Sequence, residues 1–102
     1  MKATFLNEEC NITFHQYSNG RIAIQLAVAE TGEPMAIATI NLPDERLLSD
    51  EVIIKDYSEN TGMVDSLLAA GVINHPHRYV SSGWVEKIPV CDLTPKAKEA
   101  IK

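Results

Sequence analysis

Hydrophobic residues recur at helical spacing in one stretch of this chain and alternate with polar ones over most of the rest. Between Tyr57 and Ile73, one helical face collects Met63, Val64, Leu67, Leu68 and Ala70, and the opposite face collects Asp65, Ser66 and Ala69. The spacing predicts a helix over about residues 61–70. Asn60 or Thr61 is placed to cap its start, Glu59 and Asp65 suit its positive end, and Gly71 stands where a left-handed residue closes a helix. A helix this short is unstable alone in water, so its apolar stripe must be buried against a sheet.

The alternating segments supply that sheet. Lys2 to Leu6 starts as a strand and breaks at the polar residues Asn7 to Glu9. In Cys10 to Tyr17, Cys10, Ile12 and Phe14 share one side. Ser18-Asn19-Gly20 then predicts a two-residue hairpin turn, with Asn-Gly supplying both positive-φ positions. Arg21 to Glu30 returns with Ile22, Ile24, Leu26 and Val28 on one face and Ala23, Gln25, Ala27 and Ala29 on the other. Neither face is charged across its middle, as in a central strand. After the Thr31 to Pro34 turn, Met35 to Leu42 completes a three-stranded meander.

Pro43 to Glu51 is a charged connection, and Val52 to Ile54 is a short fourth strand of β-branched residues. Beyond the helix, Asn74 to Tyr79 is expected as a loop and Ser81 to Gly83 as a turn or bulge. Trp84 to Leu93 follows as a fifth strand, which Pro89 assigns to an edge or a bulge. Thr94-Pro95 opens a short C-terminal helix over Lys96 to Ile101. The expected fold is α+β: an antiparallel β-meander of about five strands, one main helix packed on one face, and a short C-terminal helix.

Length and composition narrow the class. A chain of 102 residues, 45% apolar and 23% charged, is expected to form one domain over 1–102 with a single core. No run approaches the roughly 18 apolar residues of a membrane span, and Asn7, Glu8 and Glu9 interrupt any leader-like start, so a cytoplasmic location is expected. Cys10 and Cys91 read as two buried free thiols, with a bridge open only if their strands are neighbours.

Charge changes the picture more. The net charge is -5, and the carboxylates Glu30, Glu33, Asp44, Glu45, Asp50, Glu51, Asp56, Glu59 and Asp65 crowd the middle third against Arg46 and Lys55 alone. Such a surface repels phosphates, which argues against direct nucleic-acid binding and for a partner with a basic face.

Catalytic chemistry finds little support. His75-x-His77, with His15 elsewhere, is the most metal-like cluster, but spacing fixes no third ligand and a solvated loop explains it. Ser81 or Ser82 with a histidine and Asp56 or Asp65 lacks a nucleophile elbow, and a Ser-Gly turn accounts for both serines. Asp44, Glu45, Asp50 and Glu51 lack the alternation of a calcium loop. No catalytic residue, metal or cofactor is therefore expected. Tyr57, Tyr79 and Trp84, with Arg78 beside them, form a residue mix enriched at protein interfaces. The plain expectation for Trp84 is a plug in the core under the helix, and the sharper one is a partner-binding patch with Arg78 and Tyr79.

Asn60-Thr61-Gly62, Leu67-x-x-Ala70-Gly71-Val72-Ile73, Arg78, Ser82-Gly83-Trp84, Pro89 and Leu93-Thr94 carry a resemblance. In order and spacing this pattern resembles a family of small proteins of unknown function carried by plasmids, integrative elements and phages of gut bacteria. The resemblance covers Tyr57 to Thr94 and departs from the family pattern at Thr61, where a glutamate is usual, and at His77, where a glycine is. It transfers no catalytic residues. It implies a setting, mobile-element cargo in a bacterial host cell, in which small acidic proteins act by occluding defence machinery such as CRISPR effectors and restriction enzymes.

The expected function is thus a non-enzymatic protein-binding factor that inhibits a larger, nucleic-acid-handling defence enzyme. The expected contact residues are Asp44, Glu45, Asp50, Glu51, Arg78, Tyr79 and Trp84. Two alternatives stand beside it: a small metal-dependent enzyme using the His75 and His77 loop, and a structural protein that self-associates through a strand edge.

Overall fold

A computed structural model describes residues 1–101. Two antiparallel sheets share the chain. The first runs in the order β1 (Lys2–Phe5), β2 (Glu8–Gln16), β3 (Ile22–Val28), β4 (Pro34–Ile37). The second places β7 (Val85–Asp92) between β5 (Glu51–Ile53) and β6 (Arg78–Ser82). Helix α1 (Met63–Ala69) packs against β1, and α2 (Pro95–Ile101) closes the described chain. The α+β class and the β2-β3-β4 meander agree with expectation. The single sheet of about five strands does not: seven strands divide between two sheets.

The division occurs at Thr39. Ala38 donates its N–H to Ile24 of β3, while Ile40 donates to Ile53 of β5 and Lys55 donates back to Ala38. Thr39 forms an isolated bridge with Ile54, so the expected long strand Met35–Leu42 is shared between the sheets. Thr39 is buried, and its Oγ1 accepts the Ile24 N–H at 3.2 Å and hydrogen-bonds the Tyr17 hydroxyl at 2.9 Å.

The first two hairpins of the first sheet use positive φ, though not where Asn-Gly suggests. The β1–β2 turn is Leu6-Asn7, both left-handed at φ 51° and 65°, in the two-residue loop fixed by the Phe5 to Glu8 pairing. The β2–β3 loop holds three residues, because Tyr17 pairs with Arg21 and only Gly20 is left-handed, at φ 84°. Asn19 serves there through its side chain, accepting the Arg21 N–H and donating to Asn41.

The main core joins the inner face of the first sheet (Ala3, Phe5, Cys10, Ile12, Ile24, Leu26) to Met63, Val64 and Leu67 of α1 and to Val52, Ile54, Val72, Cys91, Leu93 and Ala97. A second cluster lies on the other face of the second sheet, where Ile53, Val80, Ile88 and Val90 pack under Ile40, Leu42, Leu47 and Tyr57. Strand β5 is buried on both faces, which explains the unbroken apolar run Val52-Ile53-Ile54. Cys10 and Cys91 are buried and free, on strands of different sheets, so neither bridges the other.

At α1 the expected cap is corrected. The N-cap position is Gly62, and the Asp56 carboxylate accepts the N–H groups of Gly62 at 2.6 Å and Val64 at 3.3 Å. Asn60 is instead buried and donates to the Ile37 carbonyl, and Thr61 donates to Ser58. The C-terminal end follows expectation: Gly71 is left-handed at φ 74°, its N–H reaches Leu68 and the Val72 N–H reaches Leu67, a Schellman ending with Val72 and Leu67 both in the core.

Arg78 to Ser82 was expected as loop and turn, yet it is strand β6. Val80 is its one buried residue, so the segment shows no clear apolar alternation. The hairpin turn is Gly83-Trp84, with Ser82 paired to Val85 and Gly83 left-handed at φ 57° in the first turn position.

Candidate functional site

The charged connection after Leu42 folds against the β6–β7 hairpin, and two arginines from outside it hold it there. Arg21 donates from Nη1 to the Leu42 carbonyl at 2.6 Å and from Nη2 to the Glu45 carbonyl. Arg78 donates from Nη2 to the Arg46 carbonyl at 2.7 Å. Both spend guanidinium donors on loop carbonyls, so these bonds to the loop do not use the Asp44 or Glu45 carboxylate. Leu42, Pro43, Asp44 and Glu45 face Ser81 and Ser82 across a cleft of about 210 Å³.

Of the expected contact residues, Asp44 and Glu45 lie beside Ser81 and Ser82 next to the hairpin turn, whereas Asp50 pairs with Lys98 of α2 and Tyr79 belongs to a separate cleft. Trp84 occupies the hairpin turn and is fully exposed, so it does not plug the core. Leu67 and Met63 fill the space under the helix instead. Tyr79 is 57% exposed and lines a shallow cleft with Pro76, Lys87 and Asp65.

Glu51 behaves differently from Asp44 and Glu45. It is buried, two residues before the Ile53 of the second cluster on the same strand. Arg78 donates to it through Nη2 to Oε1 at 2.9 Å and through Nε to Oε2 at 3.2 Å, and the Leu48 N–H adds a bond to Oε1 at 2.8 Å. His77 Nε2 lies 2.6 Å from Oε2. The Arg78 guanidinium holds the Glu51 carboxyl down at about 2, against the opposing effect of burial, and Glu51 in turn raises Arg78. Asp50 pairs with Lys98 of α2 at 3.0 Å, Glu59 pairs with Lys55, and Asp56 caps α1. The continuous outward acidic face is thus corrected. Asp50, Glu51, Asp56 and Glu59 are engaged within the chain, while Glu30, Glu33, Asp44, Glu45 and Asp65 take no part in an ion pair among the described residues.

The histidines separate. His15 bonds Thr13 on β2, His75 is exposed, and His77 turns toward Glu51 and Asp92. Ser81 and Ser82 belong to β6 beside Asp44 rather than to a histidine. The Glu51, His77 and Asp92 grouping is invisible to local spacing because it depends on β5 and β6 both flanking β7. The one signal for it is Glu51 itself, an acid heading a run of buried apolar residues, which needs a partner to be tolerated there.

A further cleft of about 470 Å³ runs beside β4, lined by Tyr17, Met35, Ile37, Tyr57, Lys55 and Glu59, where no site residue was expected. Among the described residues no helix is long and apolar enough to cross a membrane. Comparison of the chain with protein-family models, characterised proteins and solved structures finds no match.

Proposed function

We propose that this chain is a protein-binding factor without catalytic activity, which docks through the tip of the β6–β7 hairpin and the adjoining acidic loop. The observation that carries this reading is the fully exposed Trp84 in the two-residue turn of a hairpin that carries a bulge between Val80 and Ser82. An indole left in water on a rigid support forgoes the burial that makes tryptophan the residue most enriched among interface anchors. Asp44 and Glu45, with their loop pinned by Arg21 and Arg78, give the same edge a negative field.

The target is a larger protein with a basic groove of the kind that holds DNA or RNA. Long-range attraction speeds the encounter, and Trp84 anchors the complex once formed. In the mobile-element setting that the Tyr57 to Thr94 resemblance implies, the target is a host defence nuclease and the outcome is inhibition by occupancy. The acidic contribution rests on Asp44 and Glu45, since Asp50 and Glu51 already have partners inside the chain.

Capture from host lysate with the wild-type chain and Trp84→Ala as parallel baits tests the reading. A partner retained by wild type and lost, or weakened at least tenfold, with Trp84→Ala is the expected result. Equal capture by both baits overturns the hairpin as the contact. For a captured partner, Asp44→Asn with Glu45→Gln should slow association and flatten its dependence on salt while leaving dissociation nearly unchanged.

A further inference from the structure

The geometry points to a binding site for a divalent transition-metal ion of the zinc class between His77 Nδ1 and the Asp92 carboxylate, with Glu51 orienting the imidazole from behind. Glu51, His77 and Asp92 each offer a ligand atom, and these atoms lie within 4.8 Å of one another. They do not play equal parts. Glu51 is kept ionised by the two-pronged Arg78 contact, so the 2.6 Å contact between its Oε2 and His77 Nε2 requires the proton to sit on Nε2.

That assignment determines the other side of the ring. In a neutral imidazole with Nε2 protonated, Nδ1 carries a lone pair, and here it faces Asp92 Oδ2 at 3.8 Å. In that tautomer both are ligand atoms, and a metal ion between them is held by both. The separation is close to the roughly 3.4 Å between two ligand atoms that each lie about 2.1 Å from a tetrahedral ion.

Strand pairing adds a second geometric observation. Glu51 and Asp92 are direct cross-strand partners on β5 and β7, so two carboxylates stand side by side on one face of the sheet. Arg78 neutralises one of them. The other, Asp92, has His77 as its one ion-pair contact among the described residues. A cation on Nδ1 and Oδ2 completes the carboxylate, histidine, metal arrangement in which a carboxylate behind the ring fixes its tautomer.

One imidazole with one carboxylate selects a borderline ion such as zinc over magnesium or calcium. The half-exposed positions of His77 and Asp92, at 39% and 48%, leave the remaining coordination places open to water or to a partner's side chain. His75 lies outside this set, which makes the site distinct from a His-x-His loop.

Zinc chloride titrated into the full chain at neutral pH, followed by equilibrium dialysis and by the imidazole nitrogen resonances of His77, tests the inference. Binding of one equivalent is expected, with Nδ1 rather than Nε2 shifting. Asp92→Asn and His77→Gln should each weaken binding at least tenfold, His75→Ala should leave it unchanged, and magnesium should not compete. Failure to bind one equivalent overturns the site, as does binding that survives Asp92→Asn. Binding that is lost in His75→Ala instead transfers the ion to the loop histidines and overturns it as well. Unfolding midpoints of the metal-free variants, equal to wild type, separate lost ligation from lost folding.

Discussion

Arg78 and Glu51 form an ion pair across a strand that separates them: β6 and β5 do not pair with each other, and both are partnered by β7. The two residues lie 27 positions apart in the chain. Their contact ties the outer strands of the second sheet over the top of Val90, and through the Arg46 carbonyl it also fastens the acidic loop.

Removing the guanidinium leaves a buried carboxylate without its main partner. Arg78→Ala should destabilise the fold by about 3–5 kcal/mol, the usual consequence of breaking a buried pair from one side. Arg78→Lys should recover part of this and not all, because an ammonium cannot reproduce the fork. Urea unfolding midpoints of the variants measure the difference.

The same pair sets an acid limit in metal-free buffer. Glu51 has a folded value of about 2 against an ordinary 4.5, so a depressed carboxyl contributes stability that is complete above pH 4.5 and lost as pH falls toward 2. The loss is on the order of 3 kcal/mol, at about 1.4 kcal/mol for each unit. Unfolding free energies measured from pH 6 down to pH 2 should fall in that window. Glu51→Gln should start lower and show a shallower decline.

Asp56 caps α1 from six and eight residues upstream of the amides it accepts. Asp56→Ala should lower stability by about 1–2 kcal/mol, whereas Thr61→Ala, at the position that resembles a cap in sequence, should change it by about 0.5 kcal/mol or less. Thermal melts of the two variants give the order.

Leu6 is an exposed, bulky residue at φ 51°, in a conformation that suits asparagine or glycine better. Leu6→Asn should therefore stabilise the chain by about 0.5–1 kcal/mol, the reverse of what most substitutions do. A melting temperature that falls would show that the side chain has a packing role at the β1–β2 turn.

What could be read in the linear sequence was whatever depends on near neighbours. The stripe of Met63, Val64 and Leu67, the Gly71 ending and the alternation of β2 and β3 each depend on residues a few positions apart, and each is found. Strand β6 was missed because Val80 is its only buried residue. The cap was misplaced because Asp56 acts from beyond the helical turn, past the Ser58–Asn60 turn of 3-10 helix. The Glu51 cluster was out of reach for a stronger reason: it needs the order β5-β7-β6, which no local pattern encodes. Of the two readings of Trp84, the core plug fails, because hydrophobicity argues for burial while its place after Gly83 in a two-residue turn puts it at a tip.

Thr39 stands where one strand serves two sheets, its hydroxyl answering the Ile24 amide on one side and its backbone bridging Ile54 on the other. Neither half of the molecule can open at this seam without stripping hydrogen bonds from the other, so the amides of Ala38, Ile40 and Lys55 should exchange with solvent at a shared rate. Through one small hydroxyl residue, the two sheets should melt as a single cooperative unit.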